Sequence, residues 1–316
     1  MKCLVTGAAG FIGSNLARRL AADGHDVVAA DSFLSADWRN LVDFPGDVLT
    51  LAGPEDTDTL VDAGPYDLIF HQASITGVID VRTGQSLTGD AFEHQVMRVN
   101  VETFRRLLDH AEATDARVVW ASSCSVYGQG PVPMTEGQPL MPLNIYGFSK
   151  LCKERLAARY APRLKHPIVG LRYSNVYGPG ESHKHRLASM IQQLAVQMKA
   201  GRRPRIFSPG TQKRDFVYID DVVEANLLAA RATESGVYNA GAGASWSFND
   251  LVAELNKALA TDLPPDYFTN PYGFTQDWTQ TDLTLARQKL GYTPKYDLAA
   301  GIAAYAASGR LGEVRG

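Results

Sequence analysis

Cysteine is scarce: Cys3, Cys124 and Cys152 are the only three in 316 residues. An odd number without paired or metal-type spacing argues against a disulfide framework and for a reducing compartment. Positive charge is not in surplus either. The 31 Lys and Arg against 34 Asp and Glu leave a net charge of −3, which speaks against a nucleic-acid binder with a broad basic face. No run of about 18 apolar residues occurs, so no membrane partner is expected. The apolar run after Met1-Lys2 is too short for a signal segment, and a cytoplasmic protein is expected. Internal repeats and low-complexity tracts are missing. What is present, 45% hydrophobic and 21% charged residues, suits a globular chain with a large core.

Short apolar runs at 3–6, 25–31, 67–74, 117–123 and 167–175 alternate with helical patterns, including a long one at 92–112. Near-continuous apolar strands alternating with helices predict an α/β fold with a doubly wound parallel sheet covered on both faces. After residue 175 the texture changes. Helices are expected at 185–200, 219–233, 247–260 and 297–307 among short strands and Pro/Tyr-rich loops, so 1–175 reads as the main domain. Residues 176–316 read mainly as a smaller cap, with two late strands in about 213–240 returning to the sheet.

The first strand runs into G-A-A-G-F-I-G, residues 7–13. Gly7, Gly10 and Gly13 permit a tight turn and close backbone approach, and a helix opening at Phe11-Ile12 offers N–H groups to a pyrophosphate. Asp31 ends the second strand where a Rossmann-type dinucleotide fold places an acid on the adenosine ribose, which favours NAD; nearby Arg39 keeps NADP open.

Tyr146 and Lys150 in Y-G-F-S-K lie four apart, on one helix face, so the ammonium sits beside the phenol and favours its phenolate. The strand at 117–123 ends in S-S-C-S, presenting Ser123 and Ser125 at the carboxyl edge of the sheet, where ligands bind in such folds. Farther on, H-K-H-R at 183–186 follows Gly178-Pro179-Gly180. His183 and His185 lack acidic or cysteine partners at suitable spacing, so no metal is expected.

Over essentially its whole length the sequence resembles the extended short-chain dehydrogenase/reductase family, through T-G-A-A-G-F-I-G, H-Q-A-S, S-S-C-S-V-Y-G, Y-G-F-S-K, L-R-Y-S-N-V-Y-G-P-G and K-R-D-F-V-Y-I-D-D-V. The resemblance implies a bound nicotinamide dinucleotide, a nucleotide-diphosphate sugar held by the cap, and a homo-oligomer. It also implies a catalytic trio of Ser123, Tyr146 and Lys150, with Lys150 on the nicotinamide ribose. The cofactor set so implied adds Ser32, Ala73, Ser74, Asn100 and Val176 to Asp31 and the glycine loop.

Within that family the likeness is to ADP-L-glycero-D-manno-heptose 6-epimerases, on P-L-N-I-Y-G-F-S-K, N-V-Y-G-P-G-E-S-H-K-H, Q-K-R-D-F-V-Y and F-T-Q-D-W-T-Q-T-D-L-T. It implies a second acid/base at Lys184, opposite Tyr146; the alternative is a fixed charge on a phosphate. Ser123-Cys124-Ser125 lacks the Asp-Glu pair that a 4,6-dehydratase carries there. A UDP-hexose C4-epimerase and a nucleotide-sugar dehydrogenase use the same trio and stay open. A dinucleotide-sensing protein without turnover would not need it. Substrate contacts are expected from Ser123, Ser125, Asn175, Lys184, Phe207, Gly210, Arg214 and Tyr272, with Arg214 on a diphosphate oxygen. Arg214 could instead pair with Asp215 or Asp220. Trp38 stands where a 2′-phosphate-binding lysine is expected, and Ser174 replaces an aromatic residue beside Asn175.

Overall fold

The computed structural model describes residues 1–77, 89–271 and 277–314. Seven strands form one parallel sheet in the order Gly236–Ala240, Ile168–Tyr173, Arg117–Ser123, Leu68–His71, Lys2–Thr6, Asp26–Asp31, Asp47–Thr50. Consecutive strand residues enter cores on opposite faces: Leu4, Ile69 and Val118 on one, Val5, Phe70 and Val119 on the other. That two-sided burial is why these runs are apolar without alternation. The strand order reverses beside Lys2–Thr6, which opens a crevice at the carboxyl ends of the strands.

Of the 213–240 segment, Gly236–Ala240 enters the large sheet, against Ile168–Tyr173. Phe216–Tyr218 pairs instead with Asn175–Tyr177, and Lys213–Arg214 runs antiparallel to Trp246–Ser247. The long pattern at 92–112 divides into Asp90–Met97, a wide turn Arg98–Glu102, and Thr103–Thr114. The helix expected from 185 starts at Met190, because the Ser189 hydroxyl accepts from the Gln192 N–H at 3.2 Å and caps it there. No helix among the described residues is long and apolar enough to cross a membrane.

The helix Ile145–Tyr160 is tied to two strands by a buried network. Glu154 accepts from the Ser122 hydroxyl at 2.7 Å and from Arg172 at 2.9 and 2.7 Å, and Arg172 also donates to the Tyr127 hydroxyl at 2.8 Å. Leaving the guanidinium alone in the core is costly, so Glu154→Leu is expected to lower unfolding free energy by about 3–5 kcal/mol in urea titrations. A loss under about 1 kcal/mol would show that the pair only offsets its own desolvation.

Candidate active site

The glycine loop is shaped by contacts that leave no room for side chains. Gly7 has φ +69°, and a Cβ there would lie 2.8 Å from the Ala73 backbone; at Gly13 it would lie 2.1 Å from the Gly7 carbonyl oxygen. The helix Phe11–Ala22 starts at Gly10 with no side-chain cap and no acid in its first turn. Its amino end is therefore open to an anion. Gly7, Gly10, Phe11, Ile12, Gly13, Asp31, Ser32, Ala73 and Ser74 line one cavity. Asp31 is buried, with one oxygen accepting from Ala9 N–H at 2.9 Å and the other from Phe33 N–H at 2.8 Å. Burial raises its carboxyl above the usual range against the pull of those donors. Arg39 is engaged by Asp37 at 3.2 Å.

Two members of the expected cofactor set lie elsewhere. Asn100 does not face the cavity: it is fully buried, with its carbonyl accepting from Ile75 N–H at 2.8 Å and its amide donating to Ile75 O and the Ser149 hydroxyl at 3.1 and 3.0 Å. Its amide group braces the loop after Leu68–His71 against the Tyr146 helix. Val176 sits in the short pairing with Val217, also outside the cavity lining.

The glycine cradle, the uncapped helix and the strand-end carboxylate fit a dinucleotide. Gly13→Ala should push the Gly7 carbonyl aside and weaken NAD binding at least about tenfold by titration calorimetry. Unchanged affinity would mean that the loop does not hold the pyrophosphate.

At the other end of the cavity, Asn144 caps the helix through Gly147 N–H at 2.9 Å, which sets Tyr146 and Lys150 facing inward together. Lys150 is buried, donates to Ala121 O at 3.0 Å, and has its nitrogen 5.3 Å from the Tyr146 ring centre. The Ser123 hydroxyl accepts from Ser125 N–H at 3.1 Å and lies close enough to the Tyr146 phenol to favour its ionised form. Burial raises the phenol above its ordinary value while Ser123 lowers it, and burial pulls Lys150 down to about 7. Desolvation thus opposes the charged form of both groups, and it acts on the phenol against the influence of Ser123. The buried Ser125 hydroxyl has no hydrogen-bond partner among the described residues.

The segment 178–189 divides its four basic residues between two cavities. His183 sits 3.0 Å from Gly180 O through Nδ1, and Lys184 turns inward with its nitrogen 5.7 Å from the Phe11 ring; both line the cavity of Tyr146. His185, at φ +47°, reverses the chain, and it and Arg186 face a second cavity of about 1290 Å³ that Phe207, Phe248 and Phe268 also line. Burial lowers Lys184 from the ordinary lysine value, and Glu181 pulls it back up. Glu181, absent from the sequence expectations, is fully buried beside it.

Phe207 lines this second cavity, edge-on to Phe268 at 4.9 Å between ring centres. Gly210 is a turn glycine at φ +80°, packed against Asn249 and outside both cavities. Asn175 is tied to Asp215 O at 3.1 Å. Arg214 pairs with neither Asp215 nor Asp220. Asp215 is buried, bonded to Ala242 and Thr281, and Asp220 faces the Tyr296 hydroxyl. The guanidinium donates to Lys213 O at 2.8 Å and lies 5.9 Å from the Phe248 ring centre; burial lowers its pKa and the nearby Asp277 charge raises it. Tyr272 lies outside the described residues.

A family model described as the NAD dependent epimerase/dehydratase family matches residues 3–241. The chain belongs to that family. A curated relative, ADP-L-glycero-D-manno-heptose-6-epimerase of Cupriavidus pinatubonensis, is 33% identical over 335 residues, spanning 96% of this chain and 97% of the relative. The solved Helicobacter pylori ADP-L-glycero-D-manno-heptose-6-epimerase is 37% identical, with TM-score 0.87 over 97% of this chain and 95% of its own. UDP-glucose 4-epimerase of Thermotoga maritima, solved with UDP-glucose, is 28% identical, with TM-score 0.87 over 98% and 99%.

Proposed function

We propose that this member of the family inverts a carbinol carbon of a nucleotide-diphosphate sugar, C6 of an ADP-heptose, by transient oxidation to a ketone and re-reduction on the opposite face. One observation carries the reading: Tyr146 and Lys184, on different elements, line the same cavity as the glycine loop. Two proton carriers reaching one site from separate elements suit two hydroxyls of opposite direction. When bound, the oxidised nicotinamide supplies a positively charged two-electron acceptor.

The chain's own groups then move protons and hold the reactants. Lys184 or Tyr146 takes the hydroxyl proton as the carbinol becomes a ketone. Ser123 steadies the phenol, and Lys150 holds the ribose of the cofactor beside it. After the ketone has turned to show its other face, the second carrier returns a proton to its oxygen. Gly7, Gly10, Phe11, Ile12, Gly13, Asp31, Ser32, Ala73 and Ser74 hold the dinucleotide. Phe207 and Arg214 serve the nucleotide end of the sugar substrate, Arg214 because its partly buried charge lacks a carboxylate partner at Asp215 or Asp220. The unsatisfied Ser125 hydroxyl is offered to a sugar hydroxyl.

The purified protein with a panel of nucleotide sugars, followed by NMR, tests the reading. Inversion at C6 of an ADP-heptose without net cofactor reduction is the expected result. Inversion at C4 of a UDP-hexose alone would replace it with a C4-epimerase. Net accumulation of reduced cofactor would replace it with a dehydrogenase.

A further inference from the structure

We propose that Glu181 is the positioning residue for Lys184: it closes the 178–189 segment from inside and places a carboxyl group within electrostatic reach of the ammonium. The inference rests on the acid/base reading of Lys184.

Three bonds define what Glu181 does. One carboxylate oxygen accepts from Gly178 N–H at 3.1 Å and from the Ser189 hydroxyl at 2.9 Å; the other accepts from Ser189 N–H at 2.6 Å. The two ends of the segment are thereby pinned to one side chain. Lys184 sits between them, and its own N–H bonds to the Glu181 carbonyl at 2.9 Å. All three donors point at oxygens, so only a group with acceptors on both arms serves. A glutamine would turn its NH₂ against a backbone N–H at one end or the other.

The carboxylate is fully buried, and burying an unpaired charge is expensive. Burial raises Glu181, and the Lys184 charge leads the influences that hold it down. The attraction is mutual, since Glu181 is what raises Lys184 against its own desolvation. Other titratable groups surround the pair. His183 lies beside Lys184, while Asp31, Tyr146 and Lys150 share its cavity. Tyr177, Tyr305 and Glu313 face the pair from the strand Asn175–Tyr177, the helix Leu298–Ala307 and the chain end.

The segment thus couples geometry to protonation. Lys184 is carried to the edge of the glycine loop, over Phe11, by a turn whose closure depends on the same carboxyl group that acts on its charge.

Glu181→Gln removes the charge and frustrates one bond, whereas Ser189→Ala removes one donor and keeps the charge. Lysine labelled with ¹³C at Cε reports the titration of Lys184 directly, its resonance being the one missing from Lys184→Met. The sign follows from the pair: without the carboxylate the ammonium is harder to keep. Lys184 in Glu181→Gln should therefore titrate about one unit or more lower than in the wild type, and in Ser189→Ala within about 0.3 unit of it. Any limb of the kcat–pH profile that follows Lys184 should move to lower pH by the same amount, with KM changed less than about twofold. An unmoved Lys184 titration in Glu181→Gln would overturn the proposal, and so would an equal shift in Ser189→Ala. The acid/base reading fails differently, if Lys184→Met inverts the sugar at the normal rate while the titration shift in Glu181→Gln persists.

Discussion

Tyr146→Phe should lower kcat for inversion by about 10²–10⁴-fold, the range for removing a positioned proton carrier. The substitution deletes one oxygen from a side chain that lines the cavity between the glycine loop and Lys184. Packing of the ring against the Lys150 nitrogen, 5.3 Å from its centre, needs no hydroxyl. NAD affinity should stay within about threefold if, as proposed, the dinucleotide is held chiefly at the Gly7–Gly13 and Asp31 end. Steady-state kinetics paired with calorimetric NAD titration separate the two. Full activity in the variant would sink the enzyme reading as drawn, leaving a protein that binds a dinucleotide without turnover.

Lys184→Met should also abolish inversion, by a comparable factor, but with a different residue of activity. With Tyr146 intact, one epimer can still lose its hydroxyl proton, so oxidation of that epimer alone survives as slow reduction of the cofactor and formation of the keto sugar. The other epimer should be inert. Supplying each epimer separately and following the reduced nicotinamide by absorbance, with the sugar followed by NMR, distinguishes this outcome from general damage. If Lys184→Met inverts both epimers at the wild-type rate, Lys184 is a charge anchor for phosphate. If it loses NAD binding as well, the residue supports the glycine loop through Phe11.

The parts of the site that were legible in the sequence are those whose geometry is local. Seven residues suffice for the turn from the first strand into Phe11–Ala22, and four residues of helix suffice to put Tyr146 and Lys150 side by side. The alternation of apolar runs likewise foretold the parallel sheet, since burial on both faces is a property of each strand by itself. The missing pieces depend on meetings between distant segments. Nothing near Glu154 in sequence announces that Arg172 and Ser122 will close on it, and Glu181 looks like a surface acid in a Gly-rich loop until Gly178 and Ser189 fold around it. Asn100 has both ends of its amide taken by Ile75 and Ser149, which a family motif alone does not reveal. The spacing shows the charge beside Tyr146, whereas the depth of burial that raises its phenol is a property of the whole domain.

The Ser122–Glu154–Arg172 cluster carries one more consequence. Glu154 is one helical turn beyond Lys150, and Ser122 directly precedes Ser123. The strand that carries Ser123 and the helix that carries Tyr146 are therefore fastened to each other beside the cavity that Tyr146 and Lys150 line. A local opening that separated them would leave a buried guanidinium without its carboxylate, so this part of the cavity opens less readily than elements without such a pair. A half-open form of this cavity is therefore costly: strand and helix stay joined for as long as that buried pair holds.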